Sequence, residues 1–369
     1  MVLMAIDHVR VYSGLPAGGP TAGIFFTRWV THFVAPAFVF LAGTAAFLHG
    51  RRLANRAALA RFLVLRGLWL VLLELTVIRV AWTFNLDFAN YMLAGVIWMI
   101  GWCMILLGGA IYLPLKAIGA IGIAIVALHN LADVFGAGQA FGEDGPPALL
   151  ALLYFGGAVP LGDSGPPLLV LFVIVPWIGV MMCGYAYGRI VEAPAERRRA
   201  IALTLGAALC VAFVALRAVD LYGDPRPWHT SRLTGLLAFL NTTKYPASLS
   251  FLLMTLGPMF VLLGLAEHWH GRVARVLTTF GRAPMFYYLL HIPVIHAAAV
   301  VVSLVREGQV NAWLFGNHPM APPPVPEGYA WSLGLLYVVF VACVAVLYFP
   351  CRWFAQRRAH ARSPWLSYL

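Results

Sequence analysis

The stretch FFTRWVTHFVAPAFVFLAG, residues 25–43, decides the fold. It opens with Arg28 and His32, then runs on without another charge until the basic loop GRRLANRAALAR at 50–61. The apolar run from 29 to 49 matches the roughly 20 residues a helix needs to cross about 30 Å of hydrocarbon. Further runs of this kind lie at 62–82, 92–113, 117–136, 167–189, 200–219, 247–266, 283–303 and 331–350. Residues 1–9 add a partial first helix, so ten helical elements are expected. The reading is an all-α, polytopic transmembrane helix bundle, a single integral membrane domain over residues 1–369 with a basic tail at 351–369.

Composition points the same way. The chain has 369 residues, of which 62% are hydrophobic and 11% charged, with a mean hydropathy of +0.83. A soluble domain carries about 25% charged residues. The net charge of +11 does not indicate nucleic acid, because the basic residues fall in short loops between apolar runs. The five cysteines (Cys103, Cys183, Cys210, Cys343 and Cys351) form no CxxC pair, so neither a zinc site nor a disulfide framework is expected. The N-terminal residues lack the basic region and small-residue cleavage site of a signal peptide.

Basic residues also set the orientation. With the loop at 50–61 in the cytoplasm, alternation puts Lys116, the RRR at 197–199, Arg272, Arg275, Arg282 and the tail on that side too. The chain is then multi-pass, with the C-terminus and the N-terminus of the intact fold both cytoplasmic. The opposite face receives the long connections 10–28, 137–166, 220–246 and 304–330, which are rich in Gly, Pro and Trp. Long connections of this kind are often functional. From Met1 to Asp7 is only about 10 Å of helix. The first helix is therefore expected to be truncated, with apolar residues upstream.

Ionisable groups in a bilayer cost at least about 2.5 kcal/mol at its centre, so each needs a reason. Asp7 and His8 lie at the outer end of the first helix. Arg28 and His32, at i and i+4, share a helix face at the same boundary. A histidine oriented by a carboxylate is a standard general base. His8, Asp7, His32 and Arg28 are therefore the catalytic candidates, although Asp7 can equally pair with Arg28 or Arg10. His129 and Asp133, also i and i+4, suit a hydrogen-bonded pair or two metal ligands, but no HExxH-type pattern completes a metal site. The segment at 221–249 mixes Asp224, Arg226, Trp228, Asn241 and Lys244, and with His129 these are the substrate-binding candidates. Aromatic faces beside amide, carboxylate and cationic groups suit a sugar or another polar head group. FGRAPMFYYLLHIPVIH, 280–296, carries His291 near mid-helix, His296 and two helix-breaking prolines. Arg275, Arg282 and His291 are candidates for holding a phosphate-bearing cofactor. Glu74 sits mid-helix and is expected to pair within the bundle, with Arg79 at an awkward spacing. There is no P-loop, dinucleotide fingerprint or GxSxG.

Six segments together resemble the bacterial membrane proteins related to heparan-alpha-glucosaminide N-acetyltransferase. They are LMAIDHVRVYSG, FTRWVTHFVAPAFVFLAG, VPWIGVMMCGYAYGRI, YGDPRPW, FLNTTKYPASLSFLLMTLGP and FGRAPMFYYLLHIPVIH. The resemblance runs in order from residue 1 to about 300. It implies a transmembrane acyltransferase of the bacterial inner membrane, taking acetyl from cytoplasmic acetyl-CoA to an amino sugar or other glycan acceptor on the far side. It also implies an Asp…Arg-Gly element just upstream of Met1. Lysosomal members carry an asparagine near the position of His8 and an essential histidine in the loop that follows. Residues 11–27 here contain no histidine, so His8 or His32 takes that role. In the expected mechanism one of these imidazoles deprotonates the acceptor while Arg28 or Lys244 stabilises the oxyanion. The expected partners are the glycan acceptor and the lipid bilayer, without nucleic acid or metal, and a homodimer is admitted. The rival reading is a transporter or flippase for a polar or lipid-linked solute, which intramembrane histidines and broken helices also fit.

Overall fold

The structure is a computed structural model, and it describes residues 1–19, 21–136, 141 and 145–360. The end of the basic tail from 361 on, and residues 137–140 and 142–144 of the second long connection, lie outside the described residues.

The helices, in chain order, are α1 (Val2–Ser13), α2 (Ala22–Trp29), α3 (Val34–Gly50), α4 (Arg56–Leu73), α5 (Arg79–Thr83), α6 (Val96–Ala110), α7 (Leu115–Leu128), α8 (Leu131–Val134), α9 (Ala148–Leu150), α10 (Val175–Val191), α11 (Ala195–Val219), α12 (Gly235–Leu240), α13 (Leu249–Ala266), α14 (Arg272–Arg282), α15 (Pro284–Glu307) and α16 (Leu333–His360). A 3-10 turn, Val30–Phe33, joins α2 to α3, and a π turn, Glu74–Ile78, follows α4. Among the described residues, six helical stretches are long and apolar enough to cross a membrane: Ala22–Gly50, Leu115–Val134, Ala195–Val219, Leu249–Ala266, Pro284–Glu307 and Leu333–Arg358. The polytopic helical bundle expected from the apolar runs is the observed architecture.

Two of the expected runs are shorter as helices than as apolar stretches. Residues 167–170 form strand β3, pairing parallel with β1 (Met92–Ala94) and antiparallel with β2 (Gly157–Pro160) in the order β1-β3-β2. The runs at 92–113 and 167–189 thus begin as strands, and their helices start only at Val96 and Val175. Gly95 and Pro176 sit at those helix starts, positions where glycine and proline are favoured.

The chain divides into two compact units. One comprises Met1–Val34, Thr76–Asp87 and Trp269–Leu369; the other comprises Ala35–Leu75 and Phe88–His268. In the second unit α4 packs on α6, α7 on α10 and α11 on α13. Glycines sit where these and neighbouring helices cross. A Cβ on Gly43 would collide with the backbone of Met181, and one on Gly184 with that of Phe40. Thr44 Oγ1 donates to Gly184 O across the same crossing, at 2.9 Å. Small residues of this kind let membrane helices approach backbone to backbone, where hydrophobic exclusion gives no drive.

Glu74 explains another part of the second unit. It opens the π turn and is 1% exposed. Its Oε2 accepts from the backbone amides of Ile97 and Trp98, at 2.9 and 3.3 Å. These are among the orphan donors of the first turn of α6, whose own N-cap, Gly95, has no side chain to offer. The buried carboxylate therefore serves as a cap and complements the positive end of the helix dipole.

In the first unit α1 packs on α15 and α16, and α5 on α15. The connection at 308–332 closes the end of α1. Asn317 Nδ2 donates to Val11 O, Tyr329 Oη to Tyr12 O and the Trp331 amide to Ser13 O, each at 2.9 Å. Gly14 then leaves the helix at φ 71°. The last-turn carbonyls of a helix have no partner within it, so this long connection has a specific structural task.

Candidate active site

The site lies in the first unit and is built on α1 and α15. Residues i and i+4 share a helix face, which puts His8 and Tyr12 of α1 together, and likewise Tyr287 and His291 of α15. His8 Nδ1 lies 2.7 Å from His291 Nε2, and the two rings stack at 4.7 Å. His291 is fully buried, whereas His8 is half-buried.

The proton positions follow from the acceptors. His291 Nδ1 is 2.5 Å from Tyr288 O. A carbonyl oxygen only accepts, so Nδ1 carries the hydrogen and the Nε2 of a neutral His291 is bare. His8 Nδ1 must then donate to it, which leaves the His8 lone pair on Nε2. The result is a directed chain from His8 through His291 to a backbone carbonyl. A proton gained at His8 Nε2 leaves both bonds of that chain in place, because Nδ1 of each ring remains the donor. The edge of Trp82 packs against His8 at 4.8 Å, and Tyr287 stacks on His291 at 5.5 Å.

A third imidazole continues the column. His296 is fully buried and stacks on Tyr12 at 4.7 Å and on Phe84 at 3.8 Å. Its Nδ1 bonds to Ala81 O at 3.2 Å. Tyr12 Oη donates to Trp82 O at 2.6 Å. These bonds tie α5 to both α1 and α15 and fix the rings around His8.

The other catalytic candidates fall as follows. Of the partners open to Asp7, it takes Arg10: Arg10 Nε donates to Asp7 Oδ1 at 2.9 Å, and Arg10 Nη1 donates to Leu15 O. His32 is 4% exposed and lies on the 3-10 turn that packs against α1. Arg28 is half-buried in the last turn of α2. Arg275 and Arg282 are exposed on α14, five residues before and two residues after its buried Phe280. His291, considered from sequence beside these arginines, sits against His8.

The substrate-binding candidates lie in the second unit. There Asp224 is surrounded: it accepts from the amides of Arg226 and Thr243 and from the hydroxyls of Thr243 and Ser248. The buried Arg217 guanidinium lies 3.5 Å from Asp220 and 3.7 Å from Asp224, and donates to Phe239, Arg226 and Asn241 carbonyls. Arg226 Nε donates to Thr243 Oγ1, and Trp228 packs on Phe239. The Lys244 ammonium sits 5.1 Å over the Tyr245 ring. His129 faces Ala247 O at 2.9 Å, while Asp133 accepts from Asn130 and Tyr154. The i, i+4 spacing of His129 and Asp133 thus leads to separate partners. Among the described residues, no three or more His, Cys, Asp or Glu side chains gather where they could hold a metal ion.

Sequence reasoning did not pair His8 with His291, which are 283 residues apart. The available signal was that each is a histidine inside an apolar helix, a costly placement that asks for a partner.

A polytopic helical membrane protein with an ordered imidazole pair inside one helical unit is thus defined. The family model described as heparan-alpha-glucosaminide N-acetyltransferase, catalytic, matches residues 1–219, more than half of the chain, and the chain belongs to that family. Its kind of function is transmembrane acetyl transfer. No curated protein matches the chain closely enough to count as a relative.

Proposed function

We propose that the protein transfers an acetyl group from cytoplasmic acetyl-CoA to an amine or hydroxyl of a glycan acceptor across a bacterial inner membrane, with His8 as the general base. The observation that carries this reading is the directed His8–His291 pair, which orients the less buried imidazole. The acceptor nucleophile attacks the thioester carbonyl and gives its proton to His8 Nε2. Arg28 supplies positive charge to the tetrahedral oxyanion. Collapse breaks the carbon–sulfur bond, and the departing thiolate takes the proton back from His8. The products are the acetylated acceptor and the free thiol.

His32 is the second candidate base, and the Asp7–Arg10 pair holds the turn of α1 that carries His8. The exposed guanidinium groups of Arg275 and Arg282 suit the donor's phosphates, as planar forked donors do. The basic loop at 50–61 and α14 are assigned to the cytoplasmic face.

Purified protein given radiolabelled acetyl-CoA and a panel of amino sugars tests the reading. Transfer of label with release of free thiol is expected. Neither transfer nor thiol release with any acceptor contradicts it.

A further inference from the structure

The second unit contains a cavity that the acetyl-transfer reading does not use. It has a volume of about 300 Å³ and lies where α3 ends, α4 begins and the α6–α7 turn passes. That volume is at the lower end for small-molecule sites. Its floor is apolar, with Phe47, Leu59, Ile111 and Tyr185. Its rim is cationic, with Arg51 and Arg56.

The rim has donors to spare. Arg51 bonds through Nε to Glu192, which also receives Arg189, and Arg56 bonds through Nη1 to Tyr112 O. Among the described residues the Arg51 Nη groups and the Arg56 Nη2 group have no further partner. The N-termini of α4, capped by Asn55, and of α7, which has no side-chain cap, border the cavity through Asn55 and Leu115. Both place positive dipole ends there. Tyr112 and Leu113, on the turn beside the cavity, are 55% and 42% exposed. The site is therefore anion-seeking at its mouth and oily below.

We propose that this cavity holds one anionic phospholipid, its phosphate between Arg51 and Arg56 and the start of an acyl chain on the Phe47–Ile111 floor. The chemistry required is a phosphate joined to an apolar stem. A phospholipid fits better than a nucleotide, because the floor offers aliphatic and aromatic surface rather than groups that bond a base or ribose. The helix ends place the arginines at headgroup level, where basic pockets between membrane helices bind anionic headgroups. This inference does not rest on the acetyl-transfer reading.

Full-length protein in detergent, exchanged against equal amounts of phosphatidylglycerol and phosphatidylcholine and weighed intact by native mass spectrometry, tests it. One retained phosphatidylglycerol per chain is expected, favoured roughly tenfold or more over phosphatidylcholine. The double variant Arg51→Gln/Arg56→Gln should lose that preference at an unchanged melting midpoint. If the double variant melts early, Leu113→Trp, which narrows the mouth from an exposed position, should lose the adduct instead. Equal retention of both lipids, an adduct that survives the variants, or displacement of the lipid by CoA would each overturn the proposal.

Discussion

His8 Nδ1 donates to His291 Nε2 at 2.7 Å, and His291 in turn donates from Nδ1 to Tyr288 O. The two bonds together select one tautomer of each ring. In the proposed reaction His8, the less buried of the two rings, acts as the base and His291 positions it.

His291→Phe should therefore lower kcat roughly tenfold or more, less than the 10²–10⁴ that a general base itself contributes. The KM for acetyl-CoA should stay near the wild-type value. His291→Gln, whose amide oxygen can accept from His8, should recover part of the loss. Steady-state kinetics of the two variants checks this. A raised donor KM with kcat intact would place His291 on the donor's path instead.

Glu74 gives a stability prediction. Glu74→Ala leaves the Ile97 and Trp98 amides buried without their acceptor, at about 1–3 kcal/mol for each unsatisfied group. Thermal unfolding in detergent should show a clear loss, with Glu74→Gln falling between the variant and wild type. Gly95→Ala should also destabilise, because its Cβ would lie 2.5 Å from Glu74 Oε1.

Acid should weaken the connection that closes α1. Burial, with Arg79 adding to it, lowers the His318 imidazole from its usual value to about 4. Its Nδ1 accepts from the Met320 and Ala321 amides, so the neutral ring is the folded form. The unfolded chain binds the proton more readily, and stability rises with pH wherever that is so. The contribution is complete above about pH 6.5, and is lost as pH falls from there towards 4. A melting series from pH 8 to pH 4 should show this acid limb, flattened in His318→Asn.

Helix crossing in the second unit is equally testable. Gly184→Leu drives a side chain into the Phe40 backbone, and overpacking of this kind costs about 1–3 kcal/mol or more. The yield of folded protein and its melting midpoint should both drop, whereas Gly109→Ala, where a Cβ meets nothing within 4 Å, should leave them unchanged.

The spanning helices were legible because a bilayer demands long apolar runs and leaves few alternatives. Each expected run is occupied by a helix, and α1 continues the short N-terminal element to Ser13. The strands at 92–94 and 167–170 were hidden because an apolar run reads the same as buried strand or buried helix. In the site, local pairs could be read as options: Asp7 with Arg10 was one of them. Spacing failed for His129 and Asp133, since backbone carbonyls, Asn130 and Tyr154 compete for the same groups. Two histidines inside apolar helices signalled a need for partners, but that His8 meets His291 depends on how α1 packs on α15.

The initial rate of labelled acetyl transfer by His8→Gln, set beside wild type at saturating donor, tests the central claim most directly. A drop of about 10²–10⁴-fold is expected, with the melting midpoint preserved. A folded His8→Gln protein that transfers acetyl at the wild-type rate would contradict it.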